Sequence, residues 1–312
     1  MKKKYYYICL LIFGITSLVG CANSETDTKN TEVFEAVYNI ESGFLEYNGV
    51  NYEIDGDNIT VMGHYDFDIT DISIPDTITY EDKNYPVTKV AKNAFESDSD
   101  IISFTAGSNL EEIEESAFYS CDELKTLDLA DSVKIIGKDS FGGCSMLSEI
   151  KGVGALTSIL DNAFAFCTSL TNITIPKSIE NMGIGVFSEC EALEQCELEE
   201  GLTFIGEGAF TNCTALSEIK LPSTINAINA EAFWGCMEME SLELPDSLIL
   251  IGERAFYDTG IKTLKLPAGI TNINFEMLDG MSDLESIEVP ESKLASYEAQ
   301  FDELGIEIRT YN

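Results

Sequence analysis

The sequence predicts an α/β solenoid in which about nine coils stack in a single row. Three observations predict it: a phenylalanine recurs at a constant interval, apolar alternations recur in the same phase, and both ends break the pattern. The interval is 23 residues. Because each solenoid unit packs only on its neighbours, a spacing held this long indicates one structural unit per copy. The repeated phenylalanines are Phe95, Phe118, Phe141, Phe164, Phe187, Phe210, Phe233 and Phe256.

Each repeat contains one short strand followed by a tight turn. Ile173 and Ile175 alternate with polar residues, as do Ile219 and Leu221, which predicts a strand with one buried face. Proline follows in most repeats and ends the strand, because it has no N–H group for a ladder. We expect parallel strands about 4.8 Å apart. Residues around each phenylalanine recur at spacings of three, which predicts short helical or 3-10 segments.

The repeat reads approximately LxxIxLPxxLxxIGxxAFxxC from about residue 69 to residue 290. This pattern resembles the BspA-type leucine-rich repeats of bacterial cell-surface proteins. The resemblance implies a leucine-rich-repeat solenoid and, for the family, attachment to host proteins, matrix or other microbes. The motif departs from the pattern at Phe104/Ala106/Gly107 and at Gly152/Val153/Gly154, so we expect irregular coils there.

Both ends have the composition of caps, which an open array needs to cover its terminal core. Residues 44–68 alternate around Asn48-Gly49 and Asp55-Gly56, which predicts an N-terminal β cap of hairpins. An insertion around Asp82-Lys83-Asn84 predicts one more hairpin. Residues 291–312 predict a C-terminal cap, with an amphipathic helix over Ser292–Leu304 followed by a strand at Ile306–Ile308.

The first residues predict export and a lipid anchor. Three lysines precede an apolar run too short for a permanent membrane span, so residues 1–20 are interpreted as a signal peptide. Small or aliphatic residues before Cys21 resemble the bacterial lipobox, which implies that Cys21 carries the lipid. Two acyl chains anchor a protein stably in a membrane. The polar residues of the 21–43 segment are expected to form a flexible tether.

Composition argues against several function classes. The formal net charge of −37 opposes binding to nucleic acid. The single histidine, His64, leaves little room for histidine-based catalysis or metal binding and is interpreted as a surface loop residue. No GxSxG, P-loop, HExxH or dinucleotide fingerprint is present. We therefore expect no enzyme activity, no cofactor and no specific metal.

Six cysteines follow the repeated phenylalanines in phase, three positions later: Cys121, Cys144, Cys167, Cys190, Cys213 and Cys236. Three interpretations are open. They are buried free thiols in a core ladder, disulfides between coils, or metal ligands, although the sequence contains no CxxC pair.

The candidate binding residues are of two kinds. Outward strand positions line up in columns along one face; one column is small, polar and mildly acidic, and it suits extended polar partners. A second column alternates in charge from Glu197 onward, which self-pairing between strands explains as well as a ligand does. Aromatic residues directly after the repeated phenylalanine suit binding hot spots, with packing on a neighbouring turn as the alternative. The candidates are Glu149, Asn172, Gln195 and Glu218 in the polar column, and Tyr119, Trp234 and Tyr257 among the aromatics.

These observations predict a surface-anchored protein of the bacterial cell envelope that mediates protein–protein or cell-surface adhesion. The expected partners are proteins or glycoproteins on host or microbial surfaces, together with the membrane that holds Cys21. We expect a monomer. The alternative is a structural spacer or envelope scaffold without a dedicated ligand.

Replacing Cys21 with Ala is expected to move the protein from membrane fractions into soluble form, because the acyl chains provide the membrane affinity. Fractionation followed by immunoblotting measures this, with Cys121→Ala as the matched control. Unchanged membrane association of the Cys21→Ala protein would show that the lipid assignment is wrong.

Overall fold

The computed structural model describes residues 36–66, 68–270, 275–295 and 306–311. Over these residues most coils contribute one strand to a front ladder, a second strand to a back ladder, and a turn centred on the repeated phenylalanine. The predicted signal peptide and Cys21 lie outside the described residues. The leucine-rich-repeat solenoid expected from the sequence is confirmed.

The strands are short, and from β7 to β19 they alternate between the two ladders along the chain. In chain order they are β1 (Val37–Tyr38), β2 (Leu45–Tyr47), β3 (Val50–Asp55), β4 (Asn58–His64), β5 (Asp71–Ser73), β6 (Thr77–Tyr80), β7 (Lys83–Val90), β8 (Ser103–Thr105), β9 (Glu112–Ile113), β10 (Thr126–Asp128), β11 (Ile135–Ile136), β12 (Glu149–Lys151), β13 (Ser158–Ile159), β14 (Asn172–Ile175), β15 (Asn181–Met182), β16 (Gln195–Leu198), β17 (Phe204–Ile205), β18 (Glu218–Lys220), β19 (Ala227–Ile228), β20 (Leu250–Ile251), β21 (Thr263–Lys265), β22 (Ser286–Pro290) and β23 (Glu307–Tyr311), and the 3-10 helices are η1 (Val153–Ala155), η2 (Phe275–Leu278) and η3 (Glu291–Lys293).

The front ladder is parallel and in register. Thr126 of β10 stands opposite Ser103 of β8 and Glu149 of β12. Leu127 points into the core while Asp128 is exposed, so the predicted alternation of buried and outward residues is confirmed. The ladder consists of three sheets, β5-β8-β10-β12, β14-β16-β18 and β21-β22-β23.

The segments around the repeated phenylalanines are turns, so the expected helical segments are wrong there. Residues two before and two after each phenylalanine have left-handed backbone; at Phe118 these are Ser116 (φ 54°) and Ser120 (φ 56°). Two left-handed residues four positions apart interrupt any right-handed helix. The backbone instead bonds to the following coil: the Phe118 N–H donates to Ser140 O at 2.7 Å, and the Ser120 N–H donates to Gly142 O at 2.8 Å.

The phenylalanine rings form a continuous stack along the core. Neighbouring ring centroids are separated by 4.8 Å at Phe95–Phe118 and by 6.0 Å at Phe233–Phe256, with interplanar angles of 17° and 5°. All eight rings are buried. The apolar residues of both ladders surround this stack, and together they form one core that follows the whole array.

The N-terminal β cap is confirmed, but it begins earlier than expected. Strand β1 lies within the segment predicted as tether and pairs antiparallel with β2, so ordered structure starts before residue 43. Asn48 (φ 46°) and Gly49 (φ 79°) are both left-handed, as the predicted two-residue hairpin requires. The insertion forms the expected hairpin, β6–β7.

One of the two predicted irregular coils is irregular. Strand β8, which contains Phe104, pairs normally on both sides, so the expectation there is wrong. At Gly152 the chain turns into η1, and the front ladder does not continue from β12 to β14. Gly152 has φ 75°, and a Cβ there would lie 1.5 Å from Leu129 O, so only glycine fits.

At the C-terminal end, β23 pairs in parallel with β22 and provides the predicted final strand. Of the amphipathic helix expected over Ser292–Leu304, the structure describes only the beginning, where η3 lies; residues 296–305 are outside the described residues. In the part of the chain that is described, no helix has the length and apolarity needed to cross a membrane.

Truncating a central ring is expected to destabilise the array strongly. Phe187→Ala should lower the free energy of unfolding by about 3 to 5 kcal/mol, because it removes a buried ring and leaves a cavity. Glu191→Ala, an exposed position in the same coil, should change it by less than about 0.5 kcal/mol. Chemical denaturation followed by circular dichroism measures both, and equal losses would contradict the repeat register.

Candidate binding surface

The front ladder brings three of the four polar-column candidates together. Asn172, Gln195 and Glu218 are exposed neighbours on β14, β16 and β18. Glu149 belongs to a different sheet, because the ladder is interrupted between β12 and β14. Glu149 also forms a 2.8 Å ion pair with Lys151 on its own strand. The candidate strand surface is therefore the contiguous trio on β14, β16 and β18.

The alternating charges beside this trio form no direct ion pairs with one another among the described residues. Glu197 and Lys220 are neighbours in register, yet among the described residues no ion pair joins them, and none joins Lys220 to Glu243. Direct ion pairs therefore do not hold these side chains together, although opposite charges face each other in register. The charged side chains are exposed and available to a ligand.

The front ladder opens once more, between β18 and β21. The intervening segment Ser241–Leu244 occupies the place of a strand without ladder pairing, and a concavity lies on each side of it. The lining residues include acidic, basic and aliphatic side chains: Glu218, Ile219, Lys220, Glu243, Leu244 and Asp246.

Trp234 and Tyr257 form a stacked pair on consecutive turns. Their ring centroids are 4.3 Å apart with an interplanar angle of 27°, and both rings are half-buried. The Arg254 guanidinium carbon lies 5.9 Å from the Trp234 ring centroid. Tyr257 also packs on Gly280, where an added Cβ would come within 2.2 Å of the ring. The pair combines internal packing with an exposed aromatic edge.

Tyr119 does not join this pair. It is exposed, as expected, but it lies five repeats earlier on the same column of turns. The structure therefore separates Tyr119 from the Trp234–Tyr257 pair.

Phe166 is an exposed aromatic residue that was not predicted as a candidate. It is 56% exposed and has φ 62°. A bulky residue in left-handed backbone costs on the order of 1 to 3 kcal/mol. The signal was present in the sequence, because the same position in other repeats holds small or polar residues: Ser97, Ser120, Gly143, Glu189, Asn212, Gly235 and Asp258.

The in-phase cysteines are buried free thiols, which decides between the three interpretations. Each thiol donates to the carbonyl oxygen of the phenylalanine in the preceding coil; Cys121 Sγ lies 3.0 Å from Phe95 O, and Cys190 Sγ lies 3.3 Å from Phe164 O. Among the described residues, no group of three His, Cys, Asp or Glu side chains is placed to hold a metal ion. Cys196, on the inward side of β16, is buried as well.

His64 is not a surface loop residue, contrary to expectation. It ends β4, and its side chain is 6% exposed. Its Nε2 contacts the Asp98 carboxylate, its Nδ1 lies 3.1 Å from Asp66 O, and its ring centroid is 5.9 Å from that of Phe95. The imidazole therefore covers the first ring of the phenylalanine stack, which explains a buried polar residue in the cap.

The two ladders, the turn stack and the in-phase residues define a leucine-rich-repeat solenoid. The chain belongs to the family described as the BspA type leucine rich repeat region, whose model matches residues 64–194 and 181–306.

Solved structures of bacterial proteins share this fold. A leucine-rich repeat protein from Bacteroides ovatus is 29% identical, with 85% of this chain and 67% of that chain covered and a TM-score of 0.70. A leucine rich cell surface protein from Faecalibacterium prausnitzii is 22% identical, covering 86% and 94%, with a TM-score of 0.52. The leucine rich repeat protein of T. pallidum is 22% identical, covering 67% and 86%, with a TM-score of 0.53. The latter two show similarity of fold. A comparison with functionally curated proteins finds no match.

The thiols of the solenoid are expected to resist modification in the native protein. Burial raises the pKa of Cys121 to about 12 and that of Cys190 to about 12, so both remain protonated at neutral pH. Iodoacetamide labelling mapped by peptide mass should be slow at pH 7.5 and complete in denaturant. Fast labelling of the folded protein would contradict the buried ladder.

The same pKa shifts predict alkaline destabilisation. The unfolded thiols lose protons above about pH 8.5, whereas the folded ones retain them, so stability should fall as pH rises toward about 12. Urea denaturation between pH 7 and pH 10.5 measures the trend. A Cys190→Ala variant should show a shallower decline.

Proposed function

We propose that this protein is a lipid-anchored adhesin of the bacterial cell surface that binds proteins or glycoproteins on host or microbial surfaces. The observation that carries the proposal is the exposed trio Asn172, Gln195 and Glu218, aligned on three paired strands beside charges that have no ion-pair partner among the described residues. An aligned polar face of this kind suits an extended partner.

Membership in the BspA-type family and the cell surface neighbour from F. prausnitzii support a surface location. Attachment through Cys21 is part of the proposal, as are a monomeric state and the absence of an enzymatic role.

The charge of the protein favours basic partners. The sequence contains 55 acidic and 18 basic residues, so the field around the front face attracts cationic surfaces. Such attraction increases the association rate more than it slows dissociation. Binding should therefore become slower as salt concentration rises, because screening shortens the range of the field.

The Trp234–Tyr257 pair is expected to contribute an anchor for the partner. Rigid aromatic side chains with an exposed edge are enriched in binding hot spots. Trp234→Ala and Tyr257→Ala should each weaken binding by more than about 1 kcal/mol. The measurement is surface plasmon resonance against matrix proteins, mucins and bacterial cells, combined with thermal denaturation of each variant.

Leu250→Ala is the matched control, because Leu250 is an exposed apolar residue on the back ladder of the same coil. It should leave affinity unchanged. Loss of stability in parallel with affinity in the Trp234 variant would assign the pair to packing. Failure of the intact protein to bind any member of the panel would favour the spacer or scaffold function.

A further inference from the structure

The opening in the front ladder leaves backbone groups without backbone partners. Among the described residues, no backbone hydrogen bond joins Ser241–Leu244 to β18, and only the 3.5 Å contact from the Lys262 N–H to Glu240 O remains at the start of the next coil. Strand β18 therefore presents one unpaired edge toward Ser241–Leu244. Unpaired strand edges are templates for pairing with another chain.

The opening also exposes core side chains. Ile219 and Leu244 are half-buried, whereas Leu127 and Leu129, their equivalents in an intact coil, are fully buried. The aliphatic groups of Ile219 and Leu244 line the concavity between β18 and Ser241–Leu244. The floor of the opening can therefore accept apolar side chains.

Acidic residues dominate the rim. Glu218, Glu243 and Asp246 line the opening and make no ion pair among the described residues. Two lysines line the opening as well: Lys220 on β18, and Lys265, whose Nζ lies 4.4 Å from the Tyr311 ring centroid. The rim suits basic side chains.

The coil remains attached elsewhere, so the opening is confined to the front. On the back ladder β19 pairs with β20 in register, and the Phe233 and Phe256 rings remain stacked. Their centroid distance of 6.0 Å is close to the 5.8 Å of Phe187–Phe210, where the front ladder is intact. The coils thus separate at the front around a closed back and core.

We propose that this opening binds an extended segment of a partner protein in which basic and aliphatic side chains alternate. The segment's backbone pairs with the free edge of β18 or with Ser241–Leu244, its aliphatic side chains cover Ile219 and Leu244, and its basic side chains meet Glu218, Glu243 and Asp246. Addition of a strand to an exposed edge takes affinity from main-chain bonds and specificity from alternate side chains. This inference rests on the proposed protein-binding function and specifies its partner.

The test uses the full chain purified in detergent and three fluorescent nine-residue peptides at physiological salt. One alternates Lys and Val, one alternates Glu and Val, and one repeats the Lys–Val sequence with alternate backbone nitrogens methylated. The Lys–Val peptide should bind saturably and the Glu–Val peptide should not. Methylation should weaken binding by about tenfold or more, because it removes several backbone donors at about 1 kcal/mol each.

Two matched charge reversals separate the opening from the general acidity of the surface. Glu243→Lys should weaken Lys–Val binding by about tenfold, the effect of losing one charge-assisted contact and adding a repulsive one. Asp128→Lys makes the same charge change in the same outward column where the ladder is intact, and it should change binding less than about twofold. Equal effects of the two variants, or equal binding of the methylated peptide, would overturn the proposal.

Hydrogen exchange locates the peptide directly. The amides of residues 241–244 should exchange rapidly in the free protein and slow down with the Lys–Val peptide, while those of β10 stay unchanged. Binding without protection at residues 241–244 would also overturn the proposal. If the peptide protects these amides but no surface partner binds, the proposed adhesion is wrong and the peptide site stands. If a surface partner binds but the peptide does not protect these amides, only the peptide site is wrong.

Discussion

The repeated turn around each phenylalanine is the constraint on which the rest of the fold depends. Left-handed residues on both sides of the ring direct alternate N–H groups to the following coil, so the backbone bonds between coils form where the ring enters the core. Ring stacking and backbone bonding therefore fix the same coil-to-coil distance. The front ladder can then separate locally, as it does at Gly152 and at Ser241–Leu244, without breaking the array.

Most of this arrangement could be predicted from the sequence, because the phenylalanines keep a constant interval of 23 residues from Phe95 to Phe256. The phase of the phenylalanines predicted the core, and the strand alternation predicted the outward columns that bring Asn172, Gln195 and Glu218 together. The turns were mistaken for helix because residues spaced by three suit both a helix and successive turns; only the recurring Ser, Asn and Gly at the left-handed positions distinguish them. The sequence signalled only one side of the opening at Ser241–Leu244, because the spacing shortens from 23 to 22 residues between Leu242 and Leu264. The separation from β18 was not predictable, since Ile219 and Leu242 keep the regular spacing of 23 residues.

The protein has 18 basic residues against 55 acidic ones, so most carboxylates on its surface lack a basic partner. Several lysines are held on the back ladder of the early coils, where Lys89 contacts Glu112 and Lys134 contacts Glu111. These pairs join residues one repeat apart and stabilise adjacent coils modestly, because they are exposed. The front face of the later coils retains unneutralised carboxylates. Ion pairs occur on both ladders, since Glu149 contacts Lys151 on the front, whereas Glu218 and Glu243 of the later front coils have no ion pair among the described residues.

The thiol column ends in a different residue on each side. In the first coil the cysteine position is Asp98, which contacts His64 instead of a preceding carbonyl. In the coil of Phe256 it is Thr259, whose hydroxyl donates to the Phe256 carbonyl of its own coil at 2.8 Å. In every coil between them, the cysteine thiol donates to the phenylalanine carbonyl oxygen of the preceding coil, and the coil's own phenylalanine carbonyl oxygen faces the next coil. Internal duplication of a repeat consequently preserves all these bonds, so such a protein can lengthen during evolution while its two ends remain unchanged.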